Sequence, residues 1–241
     1  MKLNGRFVGM WAALFAASLV LCTQAQTQDG CADVKAIKGS ADFSEGGGTW
    51  SKLHVGKVLY ANAVIRTADG SEVDLSVKKN GPVRLTANTT LGLSKLLLED
   101  TGAEAVIDTQ LDLKAGRIVG VVAKMAIASK YEVKTPVSVV GVRGTGEGTK
   151  YDISANGKVV VLEGWVMAVF VDSSGKTTTY RVDAGQTFDP TTQTVKASAE
   201  QEVKDAKDNV PPMYPAVAIA GPQYAEPFVS PVSPVDAARI P

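Results

Sequence analysis

The chain is poor in the side chains that most enzyme chemistry uses. Its 241 residues contain one histidine, His54, and two cysteines, and only 6% are aromatic. A lone histidine excludes a multi-histidine metal centre and leaves a histidine-based triad barely available. No charge excess exists either, with 25 basic against 25 acidic groups. A balanced chain has no long-range pull on nucleic acid or anionic membrane, and no cluster of Lys and Arg with interleaved aromatics appears. No apolar run reaches the ~20 residues that cross a bilayer as a helix.

The one long apolar run lies at the start. Lys2 and Arg6 precede Phe7–Leu21, and small residues at 23 and 25 follow. That order predicts a signal peptide over 1–25, cut before Gln26, and hence a periplasmic or secreted product with no stable membrane span after cleavage. A lipoprotein reading at Cys22 is disfavoured by the bulky Leu21 before it. Removal of 1–25 takes Cys22 and leaves Cys31 unpaired, so no internal disulfide can hold the domain. Cys31 sits in a polar lead-in, 26–49, read as mobile, where it either bridges to another molecule or has no role.

Between Gln26 and Ala197 lie 20 of the 23 glycines, and apolar residues recur at alternate positions. IDTQLDL sets Ile107, Thr109, Leu111 and Leu113 against Asp108, Gln110 and Asp112, and SEVDLSV sets Val73, Leu75 and Val77 on one side. Such alternation is the mark of a strand with one wet face. KVVVL and WVMAVFV are apolar on both faces and suit strands covered on both sides. ADG, KNG, ANG and SSG punctuate them as turns. LGLSKLLLED (91–100) fits either a strand or a helix, and its neighbours favour strand. The expected fold is all-β: a two-sheet sandwich or roll, or a short solenoid-like domain.

A short pattern recurs at LHVGKV, LKAGRI, VLEGWV and VDAGQT. It reads as a strand that bends at a glycine and continues, so the sheet folds over itself at Gly56, Gly116, Gly164 and Gly185. The alternative, four glycines lining a ligand groove, is the weaker reading.

Residues 198–209 form a charged segment. Ser198 with Gln201 predicts a capping box for a short solvated helix. From 210 to 241 the chain is Pro-rich, with 8 of the 11 prolines, and is expected to be extended and disordered, a spacer or a carrier of a partner motif.

KTPVSVVGVRGTGEG (134–148) raises the question of a phosphate loop. Gly144, Gly146 and Gly148 alternate, Gly148 is followed by Thr149 before Lys150, and no helix follows; neither a P-loop nor a dinucleotide fingerprint is present. Nucleotide binding is excluded. The stretch reads instead as a strand opened by Pro136, closed by Arg143 and turned by glycines. Arg143 is expected to be a structural latch on carbonyls or a carboxylate.

Thr135-Pro136 and Arg143-Gly144-Thr145 resemble the FecR family, named after the periplasmic sensor of ferric citrate uptake. The resemblance runs from about Trp50 to Thr187 in ordered pieces: Trp50-x-x-Leu53-x-Val55-Gly56, Ile65-x-Thr67-x-x-Gly70-Ser71-x-Val73-x-Leu75, Val83-Arg84-Leu85, Val161-x-Glu163-Gly164-x-Val166 and Ala184-Gly185-Gln186. Two features depart from the family. Gly146–Thr149 intervenes where an acidic residue and Phe follow RGT, leaving Tyr151 to fill the aromatic position. Only six residues precede the apolar run, where sensor members carry a cytoplasmic anti-sigma segment. The resemblance places a FecR-like β domain at 50–197.

It also implies a non-enzymatic recognition, sensing or protein-interaction module whose partner is another envelope protein. A structural envelope or surface scaffold with no signalling role is the alternative. No residue is assigned as catalytic, cofactor-binding or metal-ligating, and no cofactor is implied. Asp108 and Asp112 lie roughly 13 Å apart along a strand, beyond the ~5–9.5 Å of glycosidase carboxylates. Glu99 and Asp100 read as solvated, although carboxylates from separate strands could still converge on calcium.

Overall fold

The computed structural model describes residues 26–100, 105–143, 146, 148–172 and 174–214. The expected leader, 1–25, and the Pro-rich residues from 215 onward lie outside them. Nineteen strands and one helix occur among the described residues.

The chain opens with β1 (Gln26–Asp29), β2 (Ala32–Lys38), β3 (Ala41–Glu45), β4 (Ser51–Lys52), β5 (Val58–Leu59) and β6 (Ala63–Thr67). The middle comprises β7 (Glu72–Val77), β8 (Gly81–Leu85), β9 (Thr90–Asp100), β10 (Ala105–Ala115), β11 (Arg117–Val122), β12 (Lys130–Lys134) and β13 (Ser138–Arg143). Then follow β14 (Thr149–Ser154), β15 (Val159–Glu163), β16 (Trp165–Val171), β17 (Thr177–Asp183), β18 (Gln186–Asp189), β19 (Thr194–Ala197) and helix α1 (Glu200–Asp208).

The strands form two sheets. The first runs β17-β16-β13-β12-β10-β9-β6-β3-β4, with β1 paired to the last four residues of β9. The second runs β19-β18-β15-β14-β11-β8-β7-β2-β5. Pairing is antiparallel except between β10 and β12, which the chain joins by passing through β11 of the other sheet. The fold is therefore two-sheeted and all-β, as the alternation predicts. LGLSKLLLED is strand, within β9.

Each of the four repeated glycines marks a passage between sheets: β4 to β5, β10 to β11, β15 to β16 and β17 to β18. Their φ values lie at +86°, +80°, +75° and +76°. That is the left-handed region glycine enters without steric cost. At Gly164 a Cβ would also run into the Thr149 hydroxyl and the Gly148 carbonyl. One short sequence pattern thus folds the two sheets onto each other.

The core fills the space between them. Ile65, Leu91, Leu111 and Val140 from the first sheet meet Leu75, Leu85, Ile153 and Phe188 from the second, all fully buried. Two polar contacts cross this interior. Tyr131 on β12 and Tyr151 on β14 share a hydrogen bond of 2.7 Å between hydroxyls, and Asn80 donates to the Thr109 hydroxyl at 2.5 Å. Gly120 lies opposite Tyr151 on β11, and a Cβ there would strike the ring. Burial raises both tyrosine pKa values, so the hydroxyls stay neutral.

Several expectations are corrected. Residues 26–49 supply β1, β2 and β3, and Cys31 is buried with a free thiol. Their strand signal is weak because β2 carries a register shift that breaks alternation. Pro136 does not open a strand. It is exposed in the turn between β12 and β13, where the Thr135 hydroxyl accepts from the Ser138 N–H at 2.9 Å. WVMAVFV is covered on one face only: Val166, Ala168 and Phe170 are buried, whereas Val171 is 44% exposed.

The helix start is shifted by one residue. Ala199 is the N-cap, and its N–H donates to the Glu202 carboxylate. Ser198 instead bonds the Thr187 hydroxyl at 2.8 Å. Nor is α1 merely solvated. It packs on β15, with Ala206 fully buried. Beyond it Pro211 is buried and Tyr214 half-buried, so the first residues of the Pro-rich segment lie on the domain.

Candidate functional site

The residues singled out in the sequence do not converge. Arg143 is exposed, and its guanidinium has neither hydrogen bond nor ion pair among the described residues. Its carbonyl accepts from the Thr149 hydroxyl at 2.6 Å, so main chain closes the end of that strand. The expected Arg143 latch is overturned. His54 is exposed in the corner between β4 and β5 and not on a strand. Asp108 pairs with Lys95, and Asp112 faces Lys114 at 3.9 Å. Among the described residues no group of three or more His, Cys, Asp or Glu is placed to hold a metal.

The arginines that latch are Arg84 and Arg117. Arg84 grips Asp74 with two parallel bonds, Nε to Oδ1 at 2.7 Å and Nη2 to Oδ2 at 2.8 Å. Arg117 grips Asp152 the same way, at 2.8 and 2.6 Å. This fork geometry is one that Lys cannot reproduce. Both aspartates are buried, at 3% and 5% exposure. Burial holds the Asp152 carboxyl above its ordinary value and outweighs the opposing pull of Arg117. For Arg117 the balance falls the other way: burial alone would lower its pKa, but the Asp152 and Asp205 carboxylates raise it.

Asp74, Arg84 and Asp152 belong to one lateral row on the outer face of the second sheet, and Arg117, two residues before Val119 on β11, reaches Asp152 diagonally. The strand registers set Thr187 beside Val160, Val160 beside Asp152, Asp152 beside Val119, Val119 beside Arg84, and Arg84 beside Asp74. The C-terminal segment runs along this row as a strap. Glu202 of α1 takes Lys158 at 2.5 Å and the Thr187 hydroxyl at 3.1 Å. Asp205 takes the free Nη1 of Arg117 at 2.7 Å. Tyr214 donates its hydroxyl to Asp74 at 2.5 Å. A cleft of about 150 Å³ remains beneath α1, between Arg117, Lys158 and Glu202. A larger hollow on the outer side of the helix involves exposed Lys204, Lys207 and Asp208 and offers no buried polar group.

The outer face of the first sheet is different in kind. Val139 lies beside Val169, and Gly141 beside Met167. Trp165, Met167, Val169 and Val171 run along β16 on this face, half-buried or exposed. On the edge strand β17, Arg181 lies over the Trp165 ring at 4.5 Å and pairs with Asp183 at 2.9 Å. The result is an apolar stripe with a polar border. Sequence reasoning placed WVMAVFV in the interior, because two apolar faces on a strand do not reveal which one another layer covers.

Fold and faces together define a glycine-cornered, two-sheet β domain whose buried charges are consumed in structural pairs. Residues 63–167 match the family model described as FecR protein, so this region is FecR-like. FecR proteins are a regulatory and signalling family associated with the envelope. Among curated proteins, none matches the chain. No helix among the described residues is long and apolar enough to cross a membrane.

Proposed function

We propose that this chain is an exported, non-enzymatic recognition or sensing module of the cell envelope, acting through contact with another envelope protein. The FecR match over 63–167 carries the reading. The stripe of Trp165, Met167, Val169 and Val171 on the first sheet supports it. A sheet face that keeps large apolar side chains half-exposed, inside a border of Arg, Asp and Thr, has the composition of a protein-contact surface. The signal-like features of residues 1–25 support a location in the periplasm or outside the cell.

Site-specific photocross-linking in cells tests this. A photoreactive residue at Val169 or Val171 should give one discrete adduct with another envelope protein, and one at Lys114, exposed on the same sheet, should not. Met167→Lys should abolish the adduct and leave the melting midpoint unchanged. Adducts of equal yield at all three positions, or none, would show that the stripe is not a recognition surface. A purely structural scaffold would cross-link only to copies of itself.

A further inference from the structure

The strap over the second sheet is held differently from the rest of the fold. Its contacts with the row are mainly single charge pairs and hydrogen bonds: Glu202 with Lys158, Asp205 with Arg117, and Tyr214 with Asp74. Ala206 and Pro211 are its buried apolar residues, with Val203 and Val210 half-buried. A nine-residue helix is marginal alone, and pairs as exposed as Arg117–Asp205 are individually weak.

Beneath it, the sheet is already neutralised. Asp74 keeps Arg84 and Asp152 keeps Arg117 whether or not the strap is present, each through two bonds within the sheet. Strap release therefore strands no buried charge, and Val119 and Val160 are the buried apolar residues of the row it runs along. What remains is a track: the free Nη1 of Arg117 and the Lys158 ammonium as cationic sockets, Val119 between the two arginine pairs with Val160 on the far side of Asp152, and an Asp74 oxygen as acceptor at the far end.

We propose that this track is a docking site for a segment of another protein, and that the chain's own strap is its resident occupant. The fitting partner is a short helix with two carboxylates three residues apart, as in Glu202 and Asp205. It continues through proline to a tyrosine hydroxyl, as in Tyr214. Charge complementarity with Lys158 and Arg117 selects it, and the competing strap lowers its apparent affinity by the fraction of time the track is open.

The test uses the full chain and, as probe, a labelled peptide of residues 198–214. In the variant carrying Glu202→Lys and Asp205→Lys, the strap is repelled by its own sockets. The peptide should bind this variant about 100-fold more tightly than it binds wild type, the difference expected when an occupied site is vacated. A peptide with the same two substitutions should not bind. A variant that keeps its β circular dichroism and takes no peptide overturns the proposal. So does one that doubles in mass without peptide, since the track would then serve a second copy. If the variant fails to fold, hydrogen exchange on wild type decides. The Val203 and Ala206 amides should be at least about 100-fold less protected than those of Val159 and Val161. Equal protection would mean that the strap opens only with the whole domain, and the docking site would be refuted.

Discussion

Tyr131 and Tyr151 meet hydroxyl to hydroxyl across the interior, 2.7 Å apart, with neither ring more than 2% exposed. One belongs to each sheet, so the bond is a polar rivet between the two layers. Removing one hydroxyl leaves the other buried without a partner, which costs roughly 1–3 kcal/mol. Tyr131→Phe and Tyr151→Phe should each destabilise by that amount, and the double variant by clearly less than the sum. Urea denaturation of the four proteins measures the coupling; strict additivity would mean that the two hydroxyls do not depend on each other.

Gly164 and Gly185 share the same conformation but not the same surroundings. A side chain at Gly164 meets Thr149, while Gly185 faces open space. Gly185→Ala should lower stability by about 1 kcal/mol, the cost of left-handed backbone alone. Gly164→Val should cost roughly 2–4 kcal/mol, because overpacking adds to the strain. Equal melting midpoints for the two variants would remove the steric part of this account.

Arg143 and Arg117 should separate cleanly. Arg143→Ala is expected to melt like wild type, since its guanidinium has no partner among the described residues. Arg117→Ala leaves Asp152 buried and unpaired, a loss of about 3 kcal/mol where one member of a buried pair is deleted. Thermal melts of both variants check this, and a large loss at Arg143 would reinstate it as a latch.

Docking of the strap should depend on pH at both ends. Lys158 foremost, then the Ala199 N–H and the Thr187 hydroxyl, lower the Glu202 pKa from its ordinary 4.5. Its contribution is present above 4.5 and lost as pH falls through the lowered value. Tyr214 is pushed up to about 12, first by burial and then by its bond to Asp74. Its contribution is full below the ordinary value of 10 and lost as pH rises towards 12. Asp152, raised by burial, runs opposite to Glu202, but it sits in the sheet and not in the strap. Exchange protection of the Ala206 amide should therefore fall below about pH 4 and above about pH 10. A flat profile across that range would contradict the assigned contacts.

Ending the chain after Tyr214 should leave the melting midpoint unchanged, because the sequence beyond it has no periodic apolar face. Ending it after Val210 removes buried Pro211 and the bond to Asp74, and should destabilise by about 1 kcal/mol. Identical midpoints for these two truncations would show that Tyr214 contributes nothing.

Much of the fold was legible in local pattern. Alternation located β7 and β10, the resemblance pointed to the family whose model matches 63–167, and the glycine repeat located four corners before any sheet was known. These signals are local: a period of two reports one buried face, and a glycine between strands reports a backbone no other residue adopts readily. The sequence by itself determined that the protein is all-β, that it bends at Gly56, Gly116, Gly164 and Gly185, and that it lacks the side chains of a histidine-based site. Partnership across the chain was decided by tertiary structure alone. Nothing near Arg84 or Arg117 announces Asp74 or Asp152, and nothing in 198–214 shows that it lies along one row of the second sheet. Those relations follow from strand register, and register is set by which strands neighbour which. For the same reason WVMAVFV looked doubly buried: an apolar face is a property of the strand, but its cover is a property of the assembled sheets.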